Sequence, residues 1–197
     1  MSFFDNNKTV GLVLIIIGLI MFVGGLVSAV AWLADDTLNT GAQIAFGIGG
    51  IIGGLLWLFY GMKVRSGSND KVAIVSGLVR TIGVITILIA IFVAAGNYLA
   101  NDEFGLGAAL VSLIVSIIIG LIYLWISGKI AGKNKNVISK IVWVLLVIIS
   151  LIMVVVHILG IFDADIWGII SHICWAVAYI YVFLASLSPE VKSSMGI

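Results

Sequence analysis

The chain has 197 residues, of which 62% are hydrophobic and only 10% charged, with a mean hydropathy of +1.30 and a net charge of +1. This composition excludes an ordinary soluble domain, and a near-zero net charge with no basic stretch interleaved with aromatics excludes a nucleic-acid binder. The single cysteine, Cys174, excludes an intramolecular disulfide and a multi-cysteine metal centre.

Between charged residues lie six uncharged runs: 9–34, 37–62, 81–101, 104–128, 141–162 and 166–189. Each exceeds the roughly 18–20 apolar residues needed to cross a hydrocarbon core of about 30 Å. The sequence therefore predicts an all-α, polytopic integral membrane protein with six transmembrane helices in one transmembrane domain spanning 1–197. The first run ends in "SAVAWLADD", which imitates a signal-peptidase site. At about 20 residues it is longer than a signal h-region of roughly 7–15, and only Lys8 precedes it, so it reads as a retained first helix.

Helix 2 contains "GIGGIIGG" (47–54), in which Gly49 precedes Gly53 by four residues and Gly50 precedes Gly54 by four. Small residues at that spacing admit a second helix at close range. Helix 2 is thus the expected packing face, either inside the bundle or at a homo-oligomer contact.

All ten Lys and Arg fall on one side of this plan. Lys8 is in the N-terminal tail, Lys63, Arg65, Lys71 and Arg80 flank the loop between helices 2 and 3, Lys129, Lys133, Lys135 and Lys140 flank the loop between helices 4 and 5, and Lys192 is in the C-terminal tail. The positive-inside rule makes both termini cytoplasmic. Arg80, a little inside helix 3, either snorkels to the cytoplasmic interface or pairs within the bundle and lines a cavity.

The other three loops carry acids in pairs: Asp35 and Asp36, Asp102 and Glu103, Asp163 and Asp165. Asp36, Asp102 and Asp163 are placed to cap or flank the N-termini of helices 2, 4 and 6, where negative charge suits the helix dipole. Arranged about a threefold axis, the same acids could instead form a ring that attracts cations or titrates in acid.

Laid over "ANDEFGLGAALVSLIVSIIIGLIYLWISGKI" (100–130), the segment "ADDTLNTGAQIAFGIGGIIGGLLWLFYGMKV" (34–64) matches at 11 of 31 positions without a gap. The constant offset of 66 aligns Asp36 with Asp102, Gly41 with Gly107, Gly54 with Gly120, Trp57 with Tyr123 and Lys63 with Lys129. A looser third unit carries "FDADIWG" and "AYIYVF". The reading is three helical hairpins, about 9–64, 72–130 and 137–188, all in one orientation, with any pseudosymmetry axis along the membrane normal. The signature prolines of mitochondrial carriers are absent, since the only proline is Pro189. Aromatics form two interface belts, with Trp32, Tyr98 and Trp167 outside and Trp57, Phe59, Tyr60, Tyr123, Trp125, Tyr179 and Tyr181 inside.

Few groups could carry chemistry. No phosphate loop, HExxH or nucleophile elbow occurs, so neither an enzyme nor a cofactor is expected. His157 lies six residues before Asp163 and His172 seven after Asp165, which puts both on the order of 10 Å below the loop apex. Facing each other across helices 5 and 6, they would form a pH-sensitive or metal-binding element; separately, each would be satisfied by backbone or a hydroxyl such as Ser171. Cys174 reads as a packed thiol.

The unit "GLVLIIIGLIMFVGG" (11–25), an outer turn, then "FGIGGIIGGLLWLFYGMKV" (46–64) resembles the repeat of the HdeD-like family. Those are small six-helix prokaryotic membrane proteins linked to acid resistance, without an established reaction. The resemblance implies a glycine where the third unit has Ser150. It also implies a non-enzymatic, stress- or envelope-associated protein of the cell membrane. A channel or transporter for protons, a small cation or a neutral solute is the second expectation, and an accessory subunit of a membrane complex the third. The lipid bilayer is the first expected partner.

Overall fold

The computed structural model describes residues 6–34, 39–67, 70–100, 105–162, 164 and 166–197. Six long helices and one short one follow in order: α1 (Asn7–Val30, extended by a 3-10 turn, Ala31–Leu33), α2 (Thr40–Ser66), α3 (Lys71–Ala100), α4 (Gly105–Ala131), α5 (Val137–Gly160), α6 (Ile166–Ser186) and α7 (Pro189–Met195). No strand occurs among the described residues. The first six are long and apolar enough to cross a membrane, which defines a multi-pass membrane protein.

Glycines set the tightest contact. Gly11, Gly18 and Gly25 recur every seven residues in α1, and Gly47, Gly54 and Gly61 do so in α2. The two helices run antiparallel with backbone against backbone: a Cβ added at Gly11 would lie 2.5 Å from Arg65 N, at Gly18 2.5 Å from Leu58 N, and at Gly25 2.5 Å from Ile51 N. In lipid there is no hydrophobic drive to bring helices together, so van der Waals contact at this range supplies the attraction. Gly50 and Gly54 face α1, while Gly49 and Gly53 face the side chains of Phe92 and Ile89 on α3. All four are therefore occupied by contacts within the chain, and α2 is sandwiched between α1 and α3.

The pair α3–α4 repeats the arrangement in smaller measure, with Gly83 against Gly120. Gly54 and Gly120, 66 positions apart, each meet a glycine of the preceding helix. In α5 the buried small residue is Ser150, whose hydroxyl donates to the carbonyls of Leu146 (2.7 Å) and Val147 (3.0 Å) of its own helix. Thr81, Thr86 and Ser186 do the same to Gly77, Ile82 and Val182. Back-bonding of this kind keeps a hydroxyl satisfied where water is absent.

The core centres on α3, which touches α2, α4, α6 and α7. Val75, Leu78, Ile82 and Ile85 of α3 are buried with Trp57 of α2, Ile126 of α4, Leu146 of α5 and Val182 of α6. Large apolar faces of α4 and α5 point outward, including Val111, Ile118, Ile141 and Ile152, as lipid-facing positions should.

Three expectations are corrected here. Trp57, Tyr123, Tyr179 and Tyr181 belong to the buried core rather than to an interface belt, because each lies on the helix face turned towards a neighbouring helix; Phe59 and Trp125 alone of that set are broadly exposed. The N-cap of α2 is Asn39, whose carbonyl oxygen accepts from Ala42 N at 2.9 Å, rather than Asp36. The C-terminal segment is a helix and not a tail. Ser188 caps α7, Pro189 begins it, Gly196 closes it at φ 78°, and Val191 and Met195 are fully buried against the bundle. In the other expected belt, Tyr98 and Trp167 are exposed, while the side chain of Trp32 lies outside the described residues.

Candidate functional site

Two polar features are built into the bundle, one at each end. At the end opposite the basic loops, α5 and α6 run antiparallel, which brings His157 in the last turn of α5 beside His172 in the second turn of α6. Their Nδ1 atoms are 3.0 Å apart and the ring centroids 5.3 Å. A contact of that kind is a hydrogen bond only when one Nδ1 carries the proton and the other offers its lone pair. Gly160 makes the room, since a Cβ there would sit 2.5 Å from His172 Cε1. Ser171 takes no part in the contact.

The pair rests on an aromatic wall. His157 is stacked on Trp175 (centroids 5.9 Å, 9°) and Tyr179 (5.6 Å, 19°). Trp175 meets Trp57 of α2 edge to face at 5.6 Å, and the Tyr179 hydroxyl lies 3.2 Å from that of Tyr123 on α4. Trp57 Nε1 is buried without a hydrogen-bond partner among the described residues. One turn further along α4, Ser127 and Ser76 of α3 exchange hydrogen bonds: each hydroxyl donates to the other's carbonyl, at 2.9 and 3.1 Å.

This line of polar groups ends in a cavity of about 770 Å³ at the basic end, between α2, α3 and α4. Lys63, Arg80 and Lys133 line it together with Asp70. Asp70 accepts from Ala73 N at 2.7 Å, at the start of α3, and from Lys133 Nζ at 3.1 Å. Those two bonds hold its carboxyl below the usual carboxylate range. Arg80 is exposed into the cavity, and no ion pair reaches it among the described residues.

The six loop acids Asp35, Asp36, Asp102, Glu103, Asp163 and Asp165 lie outside the described residues. Among the described residues no group of three or more His, Cys, Asp or Glu comes together as a metal site would require. Cys174 is buried and free. The packing role of the α1 glycines and the aromatic wall are not read from the sequence, whereas a cavity lined by Arg80 is one of the two expectations for that residue. The heptad spacing of Gly11, Gly18 and Gly25 was a readable signal for the first, whereas nothing local marks which face of α6 turns inward.

Fold and site define a six-helix polytopic membrane protein with a histidine pair at one end and a cationic cavity at the other. Comparison with protein-family models, with curated proteins and with solved structures finds no match.

Proposed function

We propose that the chain is a non-enzymatic, acid-responsive protein of a prokaryotic cell membrane, with both termini cytoplasmic and the histidine pair on the outer side. The observation that carries this reading is the 3.0 Å contact between His157 and His172. One proton between two Nδ1 atoms makes a bond; protonation of the accepting Nδ1 leaves two donors face to face, and protonation of both rings adds two positive charges to that clash. The titratable groups packed around the pair are Tyr179 beside His157 and, behind it, Tyr123; no described carboxylate or Lys faces it. Separation of the rings would be transmitted through Trp175 to Trp57 and through Tyr179 to Tyr123, and so from α5–α6 to α2 and α4. The resemblance to the HdeD-like unit agrees with an acid-linked role, and the outer acids would add to it. The arrangement as three like-oriented hairpins is supported by the matching glycine contacts of Gly54 and Gly120.

The test is tryptophan fluorescence of the protein in nanodiscs between pH 7.5 and 4.5, because a protonated imidazole stacked on Trp175 quenches it. A transition that His157→Gln and His172→Gln each abolish supports the reading. The same titration curve in wild type and both variants would sink it.

A second reading, a proton or small-cation conduit, is favoured by the polar line from the histidines through Tyr179–Tyr123 to Ser127–Ser76 and the cavity. Proteoliposome flux at outer pH 5 and 7.5, with Tyr123→Phe and Tyr179→Phe, separates the two. An accessory subunit would have to meet its partner through the exposed faces of α4 and α5, since the glycines of α2 are already in use.

A further inference from the structure

The cavity at the basic end has a composition that the acid-response reading does not use. Arg80 stands nine residues from the start of α3, about 13 Å along its axis from Lys71 and about 8 Å short of its midpoint. An unneutralised guanidinium on a membrane-spanning helix becomes costly the nearer it lies to the hydrocarbon, which is about 30 Å thick. Two more cations, Lys63 at the end of α2 and Lys133 just beyond α4, line the same space, and Asp70 is the one carboxylate among its described lining residues. Asp70 is engaged with Lys133 and with Ala73 N, and among the described residues no hydrogen bond or ion pair takes up the side-chain donors of Arg80 or Lys63.

The neutral groups are committed elsewhere. The Tyr60 hydroxyl donates to Ile74 O at 2.7 Å, Thr81 to Gly77 O, and Ser76 and Ser127 to each other's carbonyls. Their oxygens can only accept, and the free donors in the cavity are cationic. The wall is cut back to make space: a Cβ at Gly128 would meet nothing within 4 Å. At about 770 Å³ the cavity far exceeds what a chloride ion or a few waters require.

We propose that this cavity binds a phosphate group, held by Arg80 with Lys63 and Lys133, as borne by an acidic phospholipid headgroup or a soluble phosphate ester. A guanidinium presents a planar fork that matches two phosphate oxygens, and a basic pocket between transmembrane helices at a membrane face is where such a headgroup is reached. The proposal is independent of the histidine pair, which lies at the opposite end of the bundle.

Native mass spectrometry of the delipidated full chain tests it, by titration with phosphatidylglycerol, with diacylglycerol of the same acyl chains, which lacks the phosphate, and with glycerol phosphate as competitor. Wild type should bind phosphatidylglycerol more tightly than diacylglycerol. Arg80→Gln should weaken that binding about tenfold or more, the loss of a charge-assisted bond. Gly128→Leu, which fills the space and leaves every charge in place, should weaken it as well, and Lys140→Gln, on the same end but off the cavity, should not. Displacement of phosphatidylglycerol by glycerol phosphate makes the ligand a soluble ester; no displacement makes it the lipid; either supports a phosphate site. Equal affinity for the two lipids overturns the proposal, as does wild-type affinity in Gly128→Leu. That second variant decides the matter should Arg80→Gln fail to fold.

Discussion

His157 and His172 meet through their Nδ1 atoms at 3.0 Å, in a space that exists only because residue 160 is glycine. The two histidines are 15 positions apart in sequence, and the antiparallel turn of α5 into α6 is what closes that distance. Their bond needs one neutral ring to accept, so it is sensitive both to protonation and to any shift of either ring.

Gly160→Ala should therefore reproduce the histidine variants without changing a titratable group. The added methyl would lie 2.5 Å from His172 Cε1 and force that ring away from its partner. The expected outcome is loss of the acid-dependent fluorescence transition with helix content by circular dichroism unchanged. Retention of the transition at its wild-type midpoint would show that the contact is not its source.

Substitution at Gly18 or Gly54 should act on a different quantity. A side chain at either position would run into the backbone of the facing helix, which cannot rotate aside. Gly18→Leu should destabilise the fold by about 1–3 kcal/mol or more. Gly107→Ala, where a Cβ meets nothing, should be neutral or stabilising by up to about 1 kcal/mol. Thermal unfolding in detergent gives both values, and equal effects would mean that α1 and α2 are not in backbone contact.

The Tyr123–Tyr179 hydroxyl pair should display the asymmetry of a buried hydrogen bond. Each hydroxyl is the other's partner at 3.2 Å within residues that are at most 5% exposed. Tyr123→Phe or Tyr179→Phe alone strands one polar group and should cost about 1–3 kcal/mol. The double variant strands none and should cost less than the sum of the two, which a double-mutant cycle measures directly.

How much of this was legible in the sequence follows from what each signal depends on. Six spans could be read because hydrocarbon thickness acts on every span alike. Their ends could not: α3 begins at Lys71 and carries Arg80 within it, so an uncharged run beginning at 81 misses its first ten residues, which project towards the basic end. The buried aromatics read as a belt because Trp57 and Tyr123 occupy the half of their spans nearer the basic loops, and a sequence shows depth but not rotation about the helix axis. The α7 helix was marked by Ser188, Pro189 and Gly196, yet a seven-residue element after the last span reads as a tail until Val191 and Met195 are seen buried. Counting residues to a shared turn puts His157 and His172 at one depth and leaves open whether they meet, while the contact itself and the wall of Trp175, Tyr179 and Trp57 depend on tertiary packing.

Asp70 offers the one pH dependence at the basic end whose sign can be worked out from its bonds. Its carboxyl is held below the usual range, chiefly by the amide of Ala73 and then by Lys133, so ionised Asp70 stabilises the folded state. A depressed carboxylate contributes fully above its unfolded value of about 3.9 and loses that contribution as pH falls through its folded value. Stability should thus be insensitive to Asp70 from pH 5 to 8 and decline below about pH 4. Asp70→Asn keeps an acceptor for Ala73 N and should flatten that decline, whereas Asp70→Ala removes the cap and should cost about 1 kcal/mol at neutral pH. Because the Lys133–Asp70 pair is more than half exposed, its own share should be small and should fade in high salt. Unfolding midpoints of the three proteins at pH 3.5 and 7, each at low and high ionic strength, check every part of this. A decline of equal size in Asp70→Asn would assign the acid sensitivity to another group, with the histidine pair at the far end the first to examine.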